Sequence, residues 1–534
     1  MSASKAGAPA LINNGRIAAT GPDSRSDRQA PRIPGVFQLL VGLYILLTGS
    51  LPSIVQGLAF GVDGAAGAEF AIAMVASFAR DLLILAPVLI LANHPLGILH
   101  PLLLGVVVWP LLTGMPSVIQ ELGGWAGILA GVPVPVPYFG GLPSHAATTV
   151  WLAIAKYNAL EVLALVSTYA GFWFLKGRSG ARLTIPRVNS QAMRFVLIGL
   201  VAFSTLVLFA LIYSRGGVGE HLASLGQGRF RALSSFGFVM FITDLGAIAV
   251  YVWIAARPDD VKSPLFLSCF GIVMAAQFIS NGSRSAALDV PLMIGLIWAL
   301  RKQKVPWRTA VLLAPLLFLS VGLLGAIRTS SWTGQTAGEV ISNAGFSDTF
   351  ANAQNEIEER RSQSAQVPIV ERGFEVAGGP LLGRSYVAAL VAFIPRNVWE
   401  DKPRGPDSLY AQLFLGMPKE GMAIPVTSTA EIFWNFGVIG IVVLSLIYGG
   451  LLRVAYQAFW RRYPSPIPLV FYALVVTTFK FSTRSLVDLQ QHLVLLLLCQ
   501  AALAIFLPRA HYASNLLKYR VPGRAVREVS SSHP

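Results

Sequence analysis

The densest group of chemically able side chains lies in FIPRNVWEDKPRG, residues 393–405, where Arg396, Glu400, Asp401, Lys402 and Arg404 crowd around Trp399 and two prolines. An arginine presents a rigid fork of donors that matches phosphate oxygens two at a time, so a cluster of this kind suits a phosphorylated ligand. Four further basic groups share the pattern. Arg215, Arg229 and Arg231 stand with Glu220 and His221 in SRGGVGEHLASLGQGRFRA; Arg284 lies in SNGSRSA; Arg328 lies in AIRTSSW; Lys480, Arg484 and Asp488 lie in FKFSTRSLVD. A displacement that expels a diphosphate needs positive charge where the bond breaks and gains from a base at the attacking hydroxyl. Arginine and lysine supply the first. Glu431, Asp401, Glu400 and Glu220 are the candidate bases. Trp399, Trp434, Phe433 and Tyr410 are rings on which a carbohydrate face could stack, and an aromatic belt at a membrane surface accounts for them equally well. Each arginine also has a plain alternative, reaching up to lipid headgroups or pairing with a local acid. Glu431 has one too, since it follows Ser428 and Thr429 and would favour the first turn of a helix.

The elements that must hold these groups are membrane helices. The 534 residues are 54% hydrophobic and only 13% charged, about half the charge of a soluble domain. Apolar runs predict twelve spans, near 34–58, 68–93, 96–115, 148–176, 193–214, 233–256, 262–280, 286–300, 309–327, 429–452, 466–482 and 488–508. Basic residues orient them. The N-terminal tail (Lys5 to Arg32), the loops at 176–192, 300–308 and 453–463, and the C-terminal tail (Arg509 to Arg527) all fall on one side, which places both termini in the cytoplasm. The five basic groups named above fall on the other side, against that bias. The net charge of +15 is read as positive-inside loops, not as a nucleic-acid surface.

The predicted division is a disordered tail (1–32), nine spans (33–327), a large extracytoplasmic loop (328–428), three spans (429–508) and a basic tail (509–534). Within the loop, 347–362 reads as a polar helix and 382–394 as a short helix lying on the membrane surface. No cleavable leader is expected at the start. Arg80 and Asp81, inside an apolar run, read as an internal pair, and Asp244 as a similarly buried acid. Cys269 and Cys499 read as packing residues, and no metal motif, acidic DxD pair or cofactor fingerprint occurs.

IPRNVWEDKP resembles the IPR-x-x-W-x-x-KP signature of bacterial oligosaccharide repeat-unit polymerases, the Wzy-type polymerases of O-antigen and exopolysaccharide. STAEIFWNFGVIGIVVLSLIYGG resembles the acid that precedes an aromatic–Asn–Phe–Gly helix start in that family, and SRGGVGEHLA and GSRSA are weaker echoes. The resemblance is clear over about 330–455 and loose over 195–455. The chain has Glu400 where the family more often has proline, with Asp401 still in register. The resemblance implies an all-α, polytopic GT-C-like polymerase of the inner membrane with its active site facing the periplasm. It implies metal-independent, inverting transfer of a glycan from undecaprenyl pyrophosphate to another lipid-linked repeat unit. It further implies that Arg215, Arg284, Arg328, Arg396 and Arg484 surround the diphosphate; Arg229, Lys402 and Arg404 are further candidate ligands from the basic groups themselves. The partners it implies are the lipid-linked oligosaccharides, membrane lipids, a repeat-unit flippase and a chain-length regulator. Two other classes compete. An O-antigen ligase would carry a histidine in the large loop, and 328–428 has none. A transporter would suit buried charges and broken helices, but not so long a basic loop.

Overall fold

The computed structural model describes residues 35–63, 66–91, 94, 97–108, 125, 128–134, 136, 142, 147–174, 190–221, 241–281, 284–302, 304–305, 365–394, 398–399, 401–417, 424–462 and 465–506. Among the described residues the chain is helical, with no strand. Five helices are long and apolar enough to cross a membrane: Gly67–Ile90 (α3), Ala147–Phe174 (α4), Ser190–Ser214 (α5), Ser428–Arg462 (α12) and Thr483–Phe506 (α14). Shorter helices pack around them: Gly35–Thr48 (α1), Leu51–Phe60 (α2), Leu245–Ala256 (α6), Pro264–Asn281 (α7), Arg284–Lys302 (α8) and Pro466–Thr478 (α13). Gln366–Ala377 (α9), Arg384–Leu390 (α10) and Pro406–Leu415 (α11) lie between the two groups of long helices in sequence. The molecule is therefore an all-α membrane-embedded protein. The span near 309–327, the polar helix at 347–362 and both tails lie outside the described residues.

One expected span is corrected. Residues 34–58 do not form a single helix; α1 ends at Thr48 and α2 begins at Leu51. The cause lies on α3. Asp81 Oδ2 accepts hydrogen bonds from Ser50 N and Ser50 Oγ, both at 2.8 Å, so backbone that would continue the helix turns to the carboxylate instead. Gly49 makes room, because a Cβ there would sit 2.4 Å from Asp81 Oδ2. Arg80 donates to the other oxygen (Nη2–Oδ1 2.8 Å) and to Asn158 Oδ1 on α4 (2.7 Å), and Asn158 donates to Ser77 Oγ (2.7 Å). The Arg80–Asp81 pair is thus internal, as the sequence suggests, and it ties three helices together inside the apolar layer. The stretch expected as a span at 96–115 is likewise irregular where described, a 3₁₀ turn (Gly97–Leu99) followed by a π turn (Leu103–Val108).

At the centre stands α6. Its residues from Leu245 to Ala255 are all buried, as expected of a helix that is apolar all round. Its end is anchored at Asp260, in the short turn Pro258–Lys262. Arg194 donates to both carboxylate oxygens (Nη2–Oδ1 2.6 Å, Nε–Oδ2 2.8 Å), Trp253 Nε1 donates to Oδ2 (2.9 Å), and Arg257 lies 3.1 Å away. Burial alone would raise this carboxyl, but the donors and the two arginine charges hold it below the usual carboxylate range.

Helices α4 and α12 touch backbone to backbone. A Cβ on Gly171 would sit 2.0 Å from Leu446 O, and one on Gly449 would sit 1.9 Å from Thr168 O. Association within lipid relies on close packing, which small residues permit. Above this contact α12 is broken. Gly437 has φ 65° and ψ −157°, backbone that glycine alone adopts without strain. The break releases carbonyls from the helix, and the chain before α10 takes them: Leu381 N donates to Trp434 O (3.0 Å) and Leu382 N to Asn435 O (3.1 Å).

Candidate functional site

The broken start of α12 organises the site. Glu431 is almost wholly buried (1% exposed). Ser385 Oγ donates to its Oε1 at 2.6 Å, Thr483 N donates to Oε2 at 2.9 Å, and the Thr483 hydroxyl lies in very short contact with Oε1. Asn435 Nδ2 donates to Ser385 Oγ and to Glu431 O, each at 2.8 Å, while Asn435 Oδ1 accepts from Gly383 N at 3.0 Å. One carboxylate therefore pins α10, α12 and the N-terminus of α14 together. Both of its oxygens are engaged, which describes a brace better than an open base.

Around this brace the structure joins segments far apart in sequence. A Cβ on Gly405 would lie 3.8 Å from Thr483 Cγ2, and Tyr386 OH donates to Phe481 O at 3.1 Å. The 401–407 stretch thus meets the turn that carries Lys480 and Arg484. Arg484 is exposed and lies within electrostatic reach of Asp407 and Asp488. Asp407 closes the cap, with Oδ1 accepting from Val426 N at 3.0 Å; burial pushes its carboxyl up, while that amide and Arg484 oppose the shift. A second junction lies beside α14. Arg215 Nη1 stands 3.0 Å from His221 Nδ1, and His221 Nε2 stands 3.1 Å from Ile279 O. A guanidinium can only donate, so the imidazole accepts at Nδ1 and carries its proton on Nε2. Burial, then the Arg215 charge, lower the His221 pKa, with the backbone at Ile279 and Ser280 opposing. Gln277 donates to Asp244 Oδ1 at 2.8 Å, and Asp244 lies within electrostatic reach of Asp488. The basic groups near 215 and 480 therefore share one end of the bundle.

Other sequence candidates take different places. Lys402 donates to Ala392 O and Ile394 O, each at 2.9 Å, so two of its three N–H groups cap the segment after α10. Arg404 is half-buried and Asp401 exposed in the same loop. Glu220 is exposed on the turn after α5, with its side chain folded over Gly216, away from the brace. Trp399 keeps an open ring, 39% exposed. Two aromatic readings are corrected. Trp434 is fully buried and donates to Gly373 O (2.9 Å), and Tyr410 is 2% exposed and stacked on Phe414. Rings with no open face cannot stack on a sugar; these form the core of the cap made by α9, α11 and the first turns of α12. Phe433 is stacked on Phe374 in the same region. Arg229, Arg328, Arg396 and Glu400 lie outside the described residues, and of Arg284 only the backbone, at the start of α8, is described.

Sequence reading missed two groups, Tyr157 and Glu161. Tyr157 OH on α4 donates to Glu161 Oε1 at 2.8 Å and lies 3.4 Å from Thr427 Oγ1, just before α12. Lys480 lies within electrostatic reach of Glu161. Lys480 is exposed, and no hydrogen bond or ion pair reaches its ammonium among the described residues. The available signal was the lone acid in the apolar run KYNALEVLAL.

Compared with known proteins, the chain matches no family model, and no curated sequence or solved structure is significantly similar to it.

Proposed function

We propose that this protein is a membrane glycosyltransferase of the Wzy type. It would polymerise undecaprenyl-pyrophosphate-linked repeat units into O-antigen or exopolysaccharide at the periplasmic face of the bacterial inner membrane. The observation that carries the reading is the junction of the IPRNVWEDKPRG loop with the FKFSTR turn, held together through Glu431, Ser385 and Thr483. It brings Arg404, Lys480 and Arg484 toward one end of the bundle, at the foot of a loop that also holds the signature residues. Cations there suit a departing diphosphate, which needs no metal when guanidinium groups neutralise it. The exposed Trp399 offers a ring to a sugar. Transfer is inverting: the acceptor hydroxyl oxygen bonds to the anomeric carbon as the carbon–phosphate oxygen bond breaks. The lipid diphosphate leaves with the electron pair, and the hydroxyl proton passes to a base.

The test is the length of lipid-linked glycans in a strain lacking the gene, read by mass spectrometry. Single repeat units should accumulate and long glycan should vanish; long polymer still on its lipid would replace the reading with a ligase, and no change would replace it with a transporter. Restoring the gene with Arg396→Ala or Arg484→Ala should leave repeat units unpolymerised at normal protein abundance. Arg396→Lys should rescue poorly, since an ammonium lacks the fork.

A further inference from the structure

Where α4 packs against Phe481 of the α13–α14 turn stands an acid that the reading above leaves unassigned. Glu161 lies fourteen residues into α4, and its partner Tyr157 reaches Thr427 at the threshold of α12. Glu161 stands four residues past Tyr157, and Glu431 four residues past Thr427. They differ in what remains open. Glu431 accepts from Ser385 and Thr483 through both oxygens. Glu161 accepts from Tyr157 through Oε1, and no other hydrogen bond reaches it among the described residues. It is half-buried, and its Oε2 accepts no hydrogen bond among the described residues. Lys480 and Arg80 both lie within electrostatic reach of the Tyr157–Glu161 pair. Arg80 is already committed to Asp81 and Asn158, whereas the Lys480 ammonium has no direct partner.

An ionisable residue inside a membrane helix is costly and usually marks a functional site. A carboxylate with one oxygen fixed by a phenol and the other open is preorganised to accept a proton. We infer that Glu161 is the base that deprotonates the acceptor sugar hydroxyl, oriented by Tyr157, with Lys480 holding charge beside it. This rests on the polymerase reading. The acceptor oxygen bonds to the donor's anomeric carbon, its proton moves to Glu161 Oε2, and the anomeric carbon–oxygen bond breaks toward the lipid diphosphate. The residue then returns the proton to water.

The experiment uses the full-length protein in liposomes. Its probe is the single repeat units on polyprenyl diphosphate extracted from the deletion strain. Wild-type protein should lengthen them. Glu161→Gln keeps an acceptor for Tyr157 but cannot take a proton; kcat should fall by about 10²–10⁴ with KM nearly unchanged. Glu161→Asp should keep part of the activity, and Tyr157→Phe should cost about tenfold. Turnover by Glu161→Gln within threefold of wild type would overturn this inference and leave the polymerase reading standing. Failure of the wild type to lengthen the probe would remove both. If Glu161→Gln does not fold, Glu161→Asp decides: a clear loss supports the assignment, and full activity overturns it. Lys480→Met separates a charge role from a structural one. The assignment expects impaired turnover with unaltered thermal unfolding, and unaltered turnover would remove Lys480 from the site.

Discussion

Two carboxylates in this molecule brace it at different places, Glu431 with neutral donors and Asp260 with arginines. Glu431 has donors on both oxygens and holds three segments together. Substituting Glu431→Gln places an amide where Thr483 N–H expects an acceptor, or turns the same mismatch onto Ser385. A buried polar group left without its partner costs about 1–3 kcal/mol. Thermal unfolding in detergent should show that loss even in the absence of substrate. Asp260 is held at the other end of the bundle by Arg194, Trp253 and Arg257. Its carboxyl lies below the usual range, so the folded state releases its proton more readily than the unfolded chain. The stabilisation is fully present above the unfolded value of about 3.9 and is lost as pH falls through the lower folded value. Wild-type protein should therefore lose unfolding temperature as pH falls below about 4, and Asp260→Asn should show a flatter profile from a lower start.

At the scale of elements, glycine decides where helices bend and where they meet. Gly171 and Gly449 let α4 and α12 touch through their backbones. Alanine at either position should destabilise by about 1–3 kcal/mol, because the obstacle is a carbonyl and not a movable side chain. Alanine at Gly199, which has open space around it, is the matched control and should be near neutral. The existence of most helices was legible in the apolar runs, and α4 matches its predicted span within a few residues. The breaks were not. LTGSLP and NFGVIG read like the glycine and proline that membrane helices tolerate. What breaks α1 from α2 is Asp81, thirty-one residues from Ser50, and no local pattern reveals it. The same distance effect hid the site. Basic clusters stood out because they oppose the charge bias of the loops. Glu161 is one acid in an apolar run; helical spacing pairs it with Tyr157, and only packing brings Lys480 within electrostatic reach. Trp434 and Tyr410 looked like open rings because the sequence does not show the cap that closes over them.

The whole molecule is layered by charge. Lys302 and Asp259 pair at one end, at 2.6 Å; Lys156 and Glu371 pair toward the other, also at 2.6 Å. With the orientation that the loop charges predict, a membrane-impermeant maleimide should label Glu375→Cys, exposed on α9, in right-side-out vesicles and Lys302→Cys only in inverted ones. The reverse pattern would invert the topology. The native Cys269 and Cys499 are buried and should stay unlabelled until the protein is denatured. Between α10 and Trp399 the outer surface is apolar, with Leu382, Leu390, Phe393 and Val398 all exposed. Its opposite side, at Ser385, Ala388 and Ala389, is buried against the bundle. Such a face suits the headgroup boundary of a bilayer.

The break at Gly437 gives α12 two unequal arms. The short arm carries Glu431, Trp434 and Asn435 and is bonded to the cap; the long arm is fastened to α4 through Gly449. No intact helical hydrogen-bond ladder runs through the joint, so the arms need not move as one rod. A displacement of the cap can tilt the short arm while the lower contact stays locked. The fold thus contains a wrist: its grip is the Glu431 brace, and its forearm is anchored in the membrane.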